Sequence, residues 1–403
     1  MNFSIERSVL LDALSLALPI VEKRSPLPIL SHVLVRASVQ THNANTAKEN
    51  GAVELSPSHI SIQSTNLSTT LCSSLPCNVI AGGAVAVPCK KLYEIVRSLT
   101  EPTVSIVLLP SRRVSIIHDA GVFELSTLPC EDFPSTISSP DIAESAVSAT
   151  DILQMIDKTV FAVSHDEMRG ALCGVAFESI TDESGEALVA VALDSHRLGF
   201  ITLRADLPLA RTAVVPKHGL TQVRSLVSGN HENVMIGFDT KVLRVSSGQH
   251  SLTLRLMDTP YPPWRRVLPP HTGCVSFAAR RITLLNAIHR VSLLTPTNNN
   301  GVRFTLENGS LALNSGHDLG SAMERLEITD ITPHQDTDTD VTFVLNAVFV
   351  IDAIKSLTSD RINCAFYPEL NMLLLFPETQ GAFDSLDTST QRTQFGMVMG
   401  MKV

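Results

Sequence analysis

Apolar positions along the chain follow two spacings, which together define a unit that occurs three times. The three copies occupy residues 84–99, 213–226 and 343–357. Each copy begins with an apolar run typical of a strand and continues with apolar residues at helical spacing. In the first copy Leu92, Val96 and Leu99 fall on one face of the predicted helix. Pro88 and Pro216 stand at the start of two of these helices, where proline is tolerated. Each copy therefore predicts a strand followed at once by a helix.

The three copies are spaced like domains. Each ends in a basic residue followed by Ser-Leu, and these endings recur about every 130 residues, which is too long for a solenoid repeat and matches a whole domain. Around each copy the pattern predicts a second helix, near residues 8–21, 150–163 and 279–294. Strand-like runs separated by turn residues surround these helices. The predicted domains are residues 1–138, 139–264 and 265–403. The predicted fold class is α+β, with each domain made of two helices packed on an antiparallel sheet.

Three kinds of segment interrupt this plan. Residues 38–56 are polar and predict a long exposed loop. Asn308-Gly309 is a hairpin signal between two strand-like runs. The Pro-rich stretches near residues 134–140 and 260–270 are the expected linkers between domains.

Composition narrows the class of protein. The chain has 403 residues, of which 44% are hydrophobic and 18% charged, as in globular proteins of two or three domains. The seven cysteines form no Cys-x-x-Cys motif, which argues against a zinc site or redox dithiol and fits a reducing cytoplasm. Asp12 interrupts the apolar run 9–21, so we do not interpret this run as a signal peptide. No run approaches membrane-spanning length, and we expect no membrane association.

Charge is distributed unevenly. The formal net charge of −9 argues against a chain that binds nucleic acid with its whole surface. Three predicted helical segments nevertheless hold eight Lys or Arg and a single acidic residue; they are residues 88–99, 217–226 and 279–295. Ordinary solvated helix faces would explain this pattern. The recurrence of the basic position keeps open the alternative that these faces converge on one polyanion.

The densest polar cluster, Asp194-Ser195-His196-Arg197-Leu198, raises the question of catalysis. A hydrolase would need serine and histidine as nucleophile and base. Adjacent side chains of a strand point to opposite faces, and the chain has no Gly-x-Ser-x-Gly elbow. A turn at the end of a strand is the simpler interpretation. We find no phosphate-binding loop, dinucleotide fingerprint or paired metal-ligand histidines, so we expect neither cofactor nor metal.

Several motifs are more specific. They are Met-Asn-Phe-Ser-Ile-Glu-Arg at 1–7, Phe-Glu-Leu-Ser-Thr-Leu-Pro at 123–129, Asp-Ser-His-Arg-Leu at 194–198 and Tyr-Pro-Pro-Trp-Arg-Arg-Val-Leu-Pro at 261–269. In this order, and over essentially the whole chain, they resemble the bacterial replicative sliding clamp, the beta subunit of DNA polymerase III. The resemblance implies a homodimeric ring of six domains with pseudo-six-fold symmetry, helices around the hole and sheets outside. Gly170-Ala171 depart from a position where family members often carry aromatic residues, and Gly400 stands where Met-Pro-Met is common.

The resemblance also implies a function and partners. The chain would be a non-enzymatic processivity factor that encircles double-stranded DNA without reading its sequence. Its partners would be the DNA polymerase III alpha subunit, an ATP-driven clamp loader, other proteins with a clamp-binding motif and a second copy of itself. It would act in the cytoplasm, associated with the nucleoid. Two alternatives stay open: a clamp-like protein specialised away from replication, and a hydrolase that uses Asp194, Ser195 and His196.

The resemblance maps three sets of site residues. The partner-peptide pocket would comprise Arg169, Leu172, Leu193, Ser195, His196, Arg197, Leu198, Pro262, Arg266, Val267, Leu370, Met372, Met397, Met399, Gly400 and Met401. The dimer interface would pair Phe123 and Leu125 with Leu293 and Leu294. The DNA-facing residues would be Arg24, Lys90, Arg97, Lys217, Arg224, Arg280, Arg281, Arg290 and Lys355.

Overall fold

The computed structural model describes most of the chain. The described residues are 1–22, 25–38, 58–135, 137, 142–182, 185–205, 207, 209, 211–228, 233–270, 272–296, 299–307, 309–318, 320–332, 341–378 and 393–401. Arg24, Asn308, nearly all of the predicted 38–56 loop and most of the 134–140 linker lie outside this part of the chain.

Helices form where apolar residues recur at helical spacing. The α-helices of the described residues are α1 (Arg7–Ala17), α2 (Cys89–Ser98), α3 (Ala149–Asp157), α4 (Lys217–Val227), α5 (Arg281–Ser292) and α6 (Ala347–Ser356). Each repeated unit thus contains a helix, and a second helix precedes it, as predicted. α1 is shorter than the predicted 8–21, because Pro19 has no N–H to donate to the hydrogen bond that would continue the helix.

Strands make up most of the rest. In chain order they are β1 (Asn2–Glu6), β2 (His32–Ser38), β3 (His59–Thr65), β4 (Thr69–Pro76), β5 (Asn78–Ala81), β6 (Gly83–Pro88), β7 (Thr103–Leu108), β8 (Arg113–His118), β9 (Gly121–Ser126), β10 (Ser145–Ser148), β11 (Gly174–Asp182), β12 (Gly185–Leu193), β13 (Arg197–Arg204), β14 (Ala213–Pro216), β15 (Asn233–Phe238), β16 (Val242–Ser247), β17 (His250–Arg255), β18 (Val275–Arg280), β19 (Gly301–Glu307), β20 (Ser310–His317), β21 (Gly320–Glu327), β22 (Thr329–Thr332), β23 (Val341–Asn346), β24 (Arg361–Tyr367), β25 (Met372–Pro377) and β26 (Gln394–Met399).

Two compact units share these elements. The first comprises residues 1–149 and 218–255. It contains an antiparallel five-stranded sheet, β5-β1-β7-β8-β9, and an antiparallel eight-stranded sheet, β10-β15-β16-β17-β4-β3-β2-β6. In the larger sheet β17 pairs with β4 in the register Leu252↔Leu71, so strands of the first and second thirds of the chain form one sheet.

The second unit comprises residues 150–217 and 256–403. Its nine-stranded sheet has the order β14-β11-β12-β13-β26-β25-β24-β18-β22, and its four-stranded sheet has the order β21-β20-β19-β23. The pairing of β13 with β26, in the register Leu198↔Met397, joins strands of the central and last thirds of the chain. Because sheets cross the expected boundaries, the contact units do not coincide with the three predicted domains, whose limits remain a prediction.

Helix ends carry a recurrent charge. Arg97, Arg224 and Lys355, the basic residues before Ser-Leu, lie in the last turns of α2, α4 and α6 and are exposed. A cation in the last turn interacts favourably with the negative end of the helix dipole. Their recurrence therefore has a folding explanation that is independent of any ligand.

Candidate functional site: a polar turn beside an apolar cluster

The segment 194–198 is a tight turn between β12 and β13. Oδ1 of Asp194 accepts hydrogen bonds from the backbone N–H groups of His196 and Arg197, at 3.1 Å each. Ser195 adopts a left-handed backbone with φ of 77°, which few residues other than glycine adopt. The Asp194 side chain holds this turn closed, which confirms the simpler interpretation of the motif.

Arg197 is the most buried charged residue of the predicted site, with 5% of its surface exposed. Its Nε donates to Oδ2 of Asp194 at 2.8 Å, and its Nη1 donates to Oδ2 of Asp352 at 2.8 Å. The guanidinium carbon lies 4.5 Å from the centroid of the Phe349 ring. Burial removes the water that would otherwise hydrate the guanidinium, so a buried guanidinium needs such partners. Both Asp352 and Phe349 belong to α6, so Arg197 fastens the β12–β13 turn to that helix.

Arg169 reaches the same turn from the 3-10 segment Glu167–Cys173. Its Nη1 donates to the carbonyl oxygen of Asp194 at 2.8 Å and to Oγ of Ser195 at 3.0 Å. Gly170 follows with φ of 53° and ψ of −118°, a conformation that disfavours residues with a side chain. Glycine at this position therefore has a local structural reason, and Arg169 joins two loops with irregular backbone.

The hydrolase arrangement is not formed. The Ser195 hydroxyl contacts Arg169, whereas the ring of His196 lies against Phe349 with centroids 5.8 Å apart. Within the described ranges, no three side chains of the His, Cys, Asp or Glu type come together as potential metal ligands. In the same ranges, no helix is both long and apolar enough to cross a membrane.

An apolar cluster lies beside the polar turn. It contains five of the predicted pocket residues: Leu193, Leu198, Met372, Met397 and Met399. Leu198, Met372 and Met397 are buried, whereas Leu193 and Met399 are only partly buried. Trp264 is 2% exposed in the same cluster and is therefore part of a packed linker, not of an exposed recognition site.

The remaining apolar pocket residues surround this cluster with greater exposure. Val267 and Leu370 are exposed, and Leu172 and Met401 are half-buried. Pro262 and Arg266 are exposed as well. Met168, which the sequence did not single out, is 93% exposed beside Arg169. The set as a whole combines a buried methionine-rich floor with exposed residues, a surface type that adapts to different ligands.

Two of the predicted DNA-facing residues, Lys90 and Arg97, lie on α2. Lys90 and Arg97 are exposed, and Nζ of Lys90 lies 3.8 Å from a carboxylate oxygen of Glu94. Lys91 approaches the same carboxylate more closely, at 2.9 Å. The acid on this helix is thus shared between two lysines.

The other basic candidates differ in exposure, and two of them have hydrogen bonds within their own unit. Arg224, Arg280 and Lys355 are exposed. Nε of Arg281 donates to the Ser359 carbonyl oxygen at 3.0 Å, and Nε of Arg290 donates to Glu324 at 2.7 Å.

Lys217 lies close to the charges that surround Arg197. Burial lowers the pKa of Lys217, and the positive charge of Arg197 lowers it further, while Asp352 opposes this effect. Lys217 therefore belongs electrostatically to the polar turn as well as to the start of α4.

The dimer candidates lie at or near open sheet edges. β9 is the last strand of the five-stranded sheet, and β21 is the last strand of the four-stranded sheet. Phe123 on β9 is 40% exposed, and Leu293, directly after α5, is 71% exposed. Leu125 and Leu294 are half-buried. The ordinary alternative, that all four residues fill the core of their own domain, does not fit these exposures.

Comparison with known proteins identifies the family. Three sequence models of the DNA polymerase III beta subunit match consecutive parts of the chain: the N-terminal domain at residues 1–138, the central domain at 146–263 and the C-terminal domain at 265–386. The chain belongs to the DNA polymerase III beta subunit family, the bacterial beta sliding clamps.

Individual clamps support this assignment over the full length. The beta sliding clamp of Pseudomonas aeruginosa is 26% identical over 375 residues, which cover 92% of this chain and 96% of the relative. That of Caulobacter vibrioides is 28% identical over 342 residues, covering 81% and 84%. A crystal structure of the Bartonella birtlesii clamp bound to griselimycin has a TM-score of 0.85 at 25% identity, with both chains covered completely. The predicted α+β fold of three repeated clamp domains is thereby confirmed.

Membership of the family establishes the class of activity. Sliding clamps are processivity factors that bind DNA, the polymerase and the clamp loader, and form homodimers; they are not enzymes. The hydrolase alternative is therefore wrong. As a bacterial replicative clamp, the protein is cytoplasmic.

Proposed function

We propose that this clamp closes head to tail with a second copy into a ring of six domains around duplex DNA. Domain 1 of each copy, residues 1–138, meets domain 3 of the other, residues 265–403. The observation that carries this proposal is the pair of open edges, β9 and β21, with exposed Phe123 and Leu293 beside them. Open strand edges invite pairing with another chain, and a closed two-fold assembly uses them up.

Four apolar side chains supply the proposed contact. Phe123 and Leu125 stand two residues apart, on one face of β9, and would pack against Leu293 and Leu294 of the second copy. Leu293 is the C-cap of α5, so it is held by a rigid element on its own side.

DNA would be held by exposed basic side chains at helix ends. The exposed members of the predicted set are the strongest candidates, and they are Lys90, Arg97, Arg224, Arg280, Arg290 and Lys355. Arg281 is half-buried and donates to the Ser359 carbonyl oxygen, so we give it a smaller share. Contacts to phosphate without base readout permit sliding, and the overall charge of −9 disfavours binding of DNA elsewhere on the surface.

Partners would bind the apolar cluster beside the β12–β13 turn. A short hydrophobic peptide segment would pack on Leu193, Met399 and Met401, with Val267 and Leu370 at the rim. Arg169 and Arg266 could donate to its carbonyl groups from the edge. Arg197 has a different role, because two carboxylates already occupy its guanidinium. Polymerase and clamp loader would compete, since both would use this one surface.

Ring closure can be tested by measuring the molar mass of the protein in solution. Leu293→Ala/Leu294→Ala should give a folded monomer by light scattering coupled to gel filtration, because the contact loses two large side chains. Leu27→Ala/Leu67→Ala is the matched control, since both leucines are about half exposed elsewhere on the surface; this variant should stay dimeric. A dimeric or an unfolded Leu293→Ala/Leu294→Ala protein would contradict the assignment.

Encirclement is tested by DNA topology. Clamp that has been loaded by the cognate clamp loader and ATP should remain on nicked circular DNA and leave once the circle is cut. Retention on linear DNA would indicate binding without encirclement and would overturn the proposal. In cells we expect the same topological link to associate the clamp with the nucleoid during replication, visible as foci of a fluorescent fusion.

A further inference from the structure

The segment Met399-Gly400-Met401 is tied to three separate places through consecutive backbone groups. The N–H of Met399 donates to the His196 carbonyl oxygen at 2.7 Å, and that of Met401 donates to the Val344 carbonyl oxygen at 2.8 Å. Between them, the N–H of Gly400 donates to the carbonyl oxygen of Asn371. An ordinary strand edge leaves alternate N–H groups pointing away from its partner. This segment is therefore fixed on several sides.

Asn371 contacts the segment a second time through its side chain. It lies in the turn between β24 and β25 with φ of 48°, a left-handed conformation that asparagine tolerates better than most residues. Its Nδ2 donates to the carbonyl oxygen of Met401 at 3.2 Å. Asn371 thus accepts a hydrogen bond from Gly400 and donates one to Met401, which places its amide side chain directly over the glycine.

Gly400 leaves the space that this side chain fills. A Cβ built on Gly400 would lie 2.0 Å from Oδ1, 2.3 Å from Cγ and 2.5 Å from Nδ2 of Asn371. The φ of Gly400 is outside the left-handed region, so space, not backbone conformation, requires glycine here. Turning the amide about χ2 leaves Cγ in place. Relief of the clash would need a change of χ1 of Asn371, which breaks its hydrogen bond to Met401.

We propose that Asn371 and Gly400 form a positioning pair that fixes Met399 and Met401 for the partner peptide. This inference rests on the proposed peptide surface and adds Asn371, which the sequence did not assign to it. Met399 is at once bonded to the His196 turn and packed in the apolar cluster, so a shift of the segment would move a part of that surface. The ligand class remains a short hydrophobic peptide segment of a replication partner.

Three variants and a matched control separate the pair from general stability. Gly400→Ala introduces the clash, Asn371→Gly removes the side chain while keeping the left-handed turn, and Asn371→Gly/Gly400→Ala combines them. Gly316→Ala is the control, because a Cβ there would meet only Cβ of Ser321 at 3.9 Å. The probe is a fluorescein-labelled synthetic peptide that carries the C-terminal segment of the cognate polymerase alpha subunit, titrated with full-length clamp and followed by anisotropy.

If Asn371 and Gly400 act as a pair, Gly400→Ala should weaken peptide binding, and Asn371→Gly should remove the clash in the double variant. Gly400→Ala should raise the Kd by about tenfold, as expected for a lost hydrogen bond together with a displaced apolar contact. The double variant should return to within about threefold of Asn371→Gly alone, because non-additivity of this size marks residues in direct contact. Gly316→Ala should leave the Kd unchanged. Unchanged affinity of Gly400→Ala, or a double variant whose Kd exceeds that of Asn371→Gly by about tenfold, would overturn the pair.

A second readout does not depend on the peptide. Methyl NMR of methionine-labelled clamp, with Met399 and Met401 assigned by substitution with leucine, should show both resonances shifted in Gly400→Ala and, in the double variant, at their positions in Asn371→Gly. Unmoved resonances would reject the positioning role. If the unaltered clamp failed to bind the peptide, the proposed peptide surface would be wrong, and these spectra alone would decide whether the pair exists.

Discussion

Arg197 and Arg97 show what one residue type does in two environments. Arg197 is buried between Asp194 and Asp352 and joins a turn to α6. Arg97 stands exposed in the last turn of α2. The first guanidinium binds two carboxylates inside the protein, whereas the second is exposed to an external anion. A motif that is rich in arginine therefore does not by itself distinguish a structural charge from a binding charge; burial and partners do.

The largest effect should come from breaking the buried network. Arg197→Ala leaves Asp352 and one oxygen of Asp194 without their charged partner, and removal of one partner from a buried ion pair costs about 3 kcal/mol. Trp264, the chain's one tryptophan, lies in the neighbouring apolar cluster, so its fluorescence reports unfolding of this unit. We expect its urea midpoint to fall clearly in Arg197→Ala.

Two further variants test whether the loss of stability depends on burial of the arginine and on both of its carboxylate partners. Arg266→Ala removes an exposed arginine of the same unit and should change stability by less than about 0.5 kcal/mol. Asp352→Asn should fall between the two, since Asp194 still pairs with Arg197 and Asp352 is itself partly exposed. Equal midpoints for Arg197→Ala and Arg266→Ala would erase the distinction between buried and exposed arginines.

Removal of exposed basic residues such as Arg97 should change binding to DNA with little change in the fold. Arg97→Ala/Arg224→Ala/Lys355→Ala should shorten residence on nicked circular DNA. If all three side chains contact phosphate, the salt dependence of binding should weaken by about 0.9 in log–log slope for each residue. The readout is clamp retention across a salt series.

A charge-matched control isolates position from net charge. Arg36→Ala/Arg255→Ala/Arg303→Ala also removes three exposed basic residues, but from strands. It should leave the salt slope close to that of the unaltered clamp. Equal loss in both triple variants would mean that overall charge, and not the helix ends, attracts the DNA.

Local patterns in the sequence were sufficient for the repeated strand–helix units. α2, α4 and α6 form close to their predicted positions, because helical spacing of apolar residues is a property of neighbouring residues. β13 carries a weaker sequence signal: its residues Arg197–Arg204 are buried almost without interruption, so the alternation that marks a half-exposed strand is absent. The sequence signal of β21 is weak as well, although its burial alternates regularly. Gly, Ser and Ala occupy its first positions and hide the pattern.

The sequence was sufficient to predict which segments form the site, but not which residues of distant segments contact each other. The motif at 194–198 marked the turn, but Asp352 lies 155 residues from Arg197 and no local pattern links them. Asn371 carried a weak signal, since asparagine between two strand-like runs favours a left-handed turn. Its contact with Gly400 depends on the pairing of β25 with β26, which sequence spacing does not provide.

The smallest expected effect concerns His250, a titratable side chain that is less buried than Arg197 and less exposed than Arg97. Its Nδ1 lies 2.8 Å from Oγ of Ser73, and its Nε2 lies 3.3 Å from a carboxylate oxygen of the largely exposed Asp12. Burial lowers the pKa of His250, and Asp12 only partly opposes this effect. Arg197, by contrast, has two carboxylates and remains a buried charge. His250 is thus partly buried, and its surroundings disfavour the protonated form.

The sign of the pH effect follows from that lowered pKa. Between the folded pKa of His250 and its ordinary value of about 6.5, the unfolded chain binds more protons, so stability falls as the pH drops below about 6.5. The N–H of Ser74 on β4 donates to the Gln249 carbonyl oxygen, so hydrogen exchange there reports opening of this β4–β17 contact. From about pH 7.5 to 5.5, protection should decline more in the unaltered clamp than in His250→Gln, which cannot titrate in this range. Comparison at each pH cancels the intrinsic pH dependence of exchange. Parallel curves for the two proteins would show that Asp12 compensates the imidazolium fully, and His250 would then belong with Arg197.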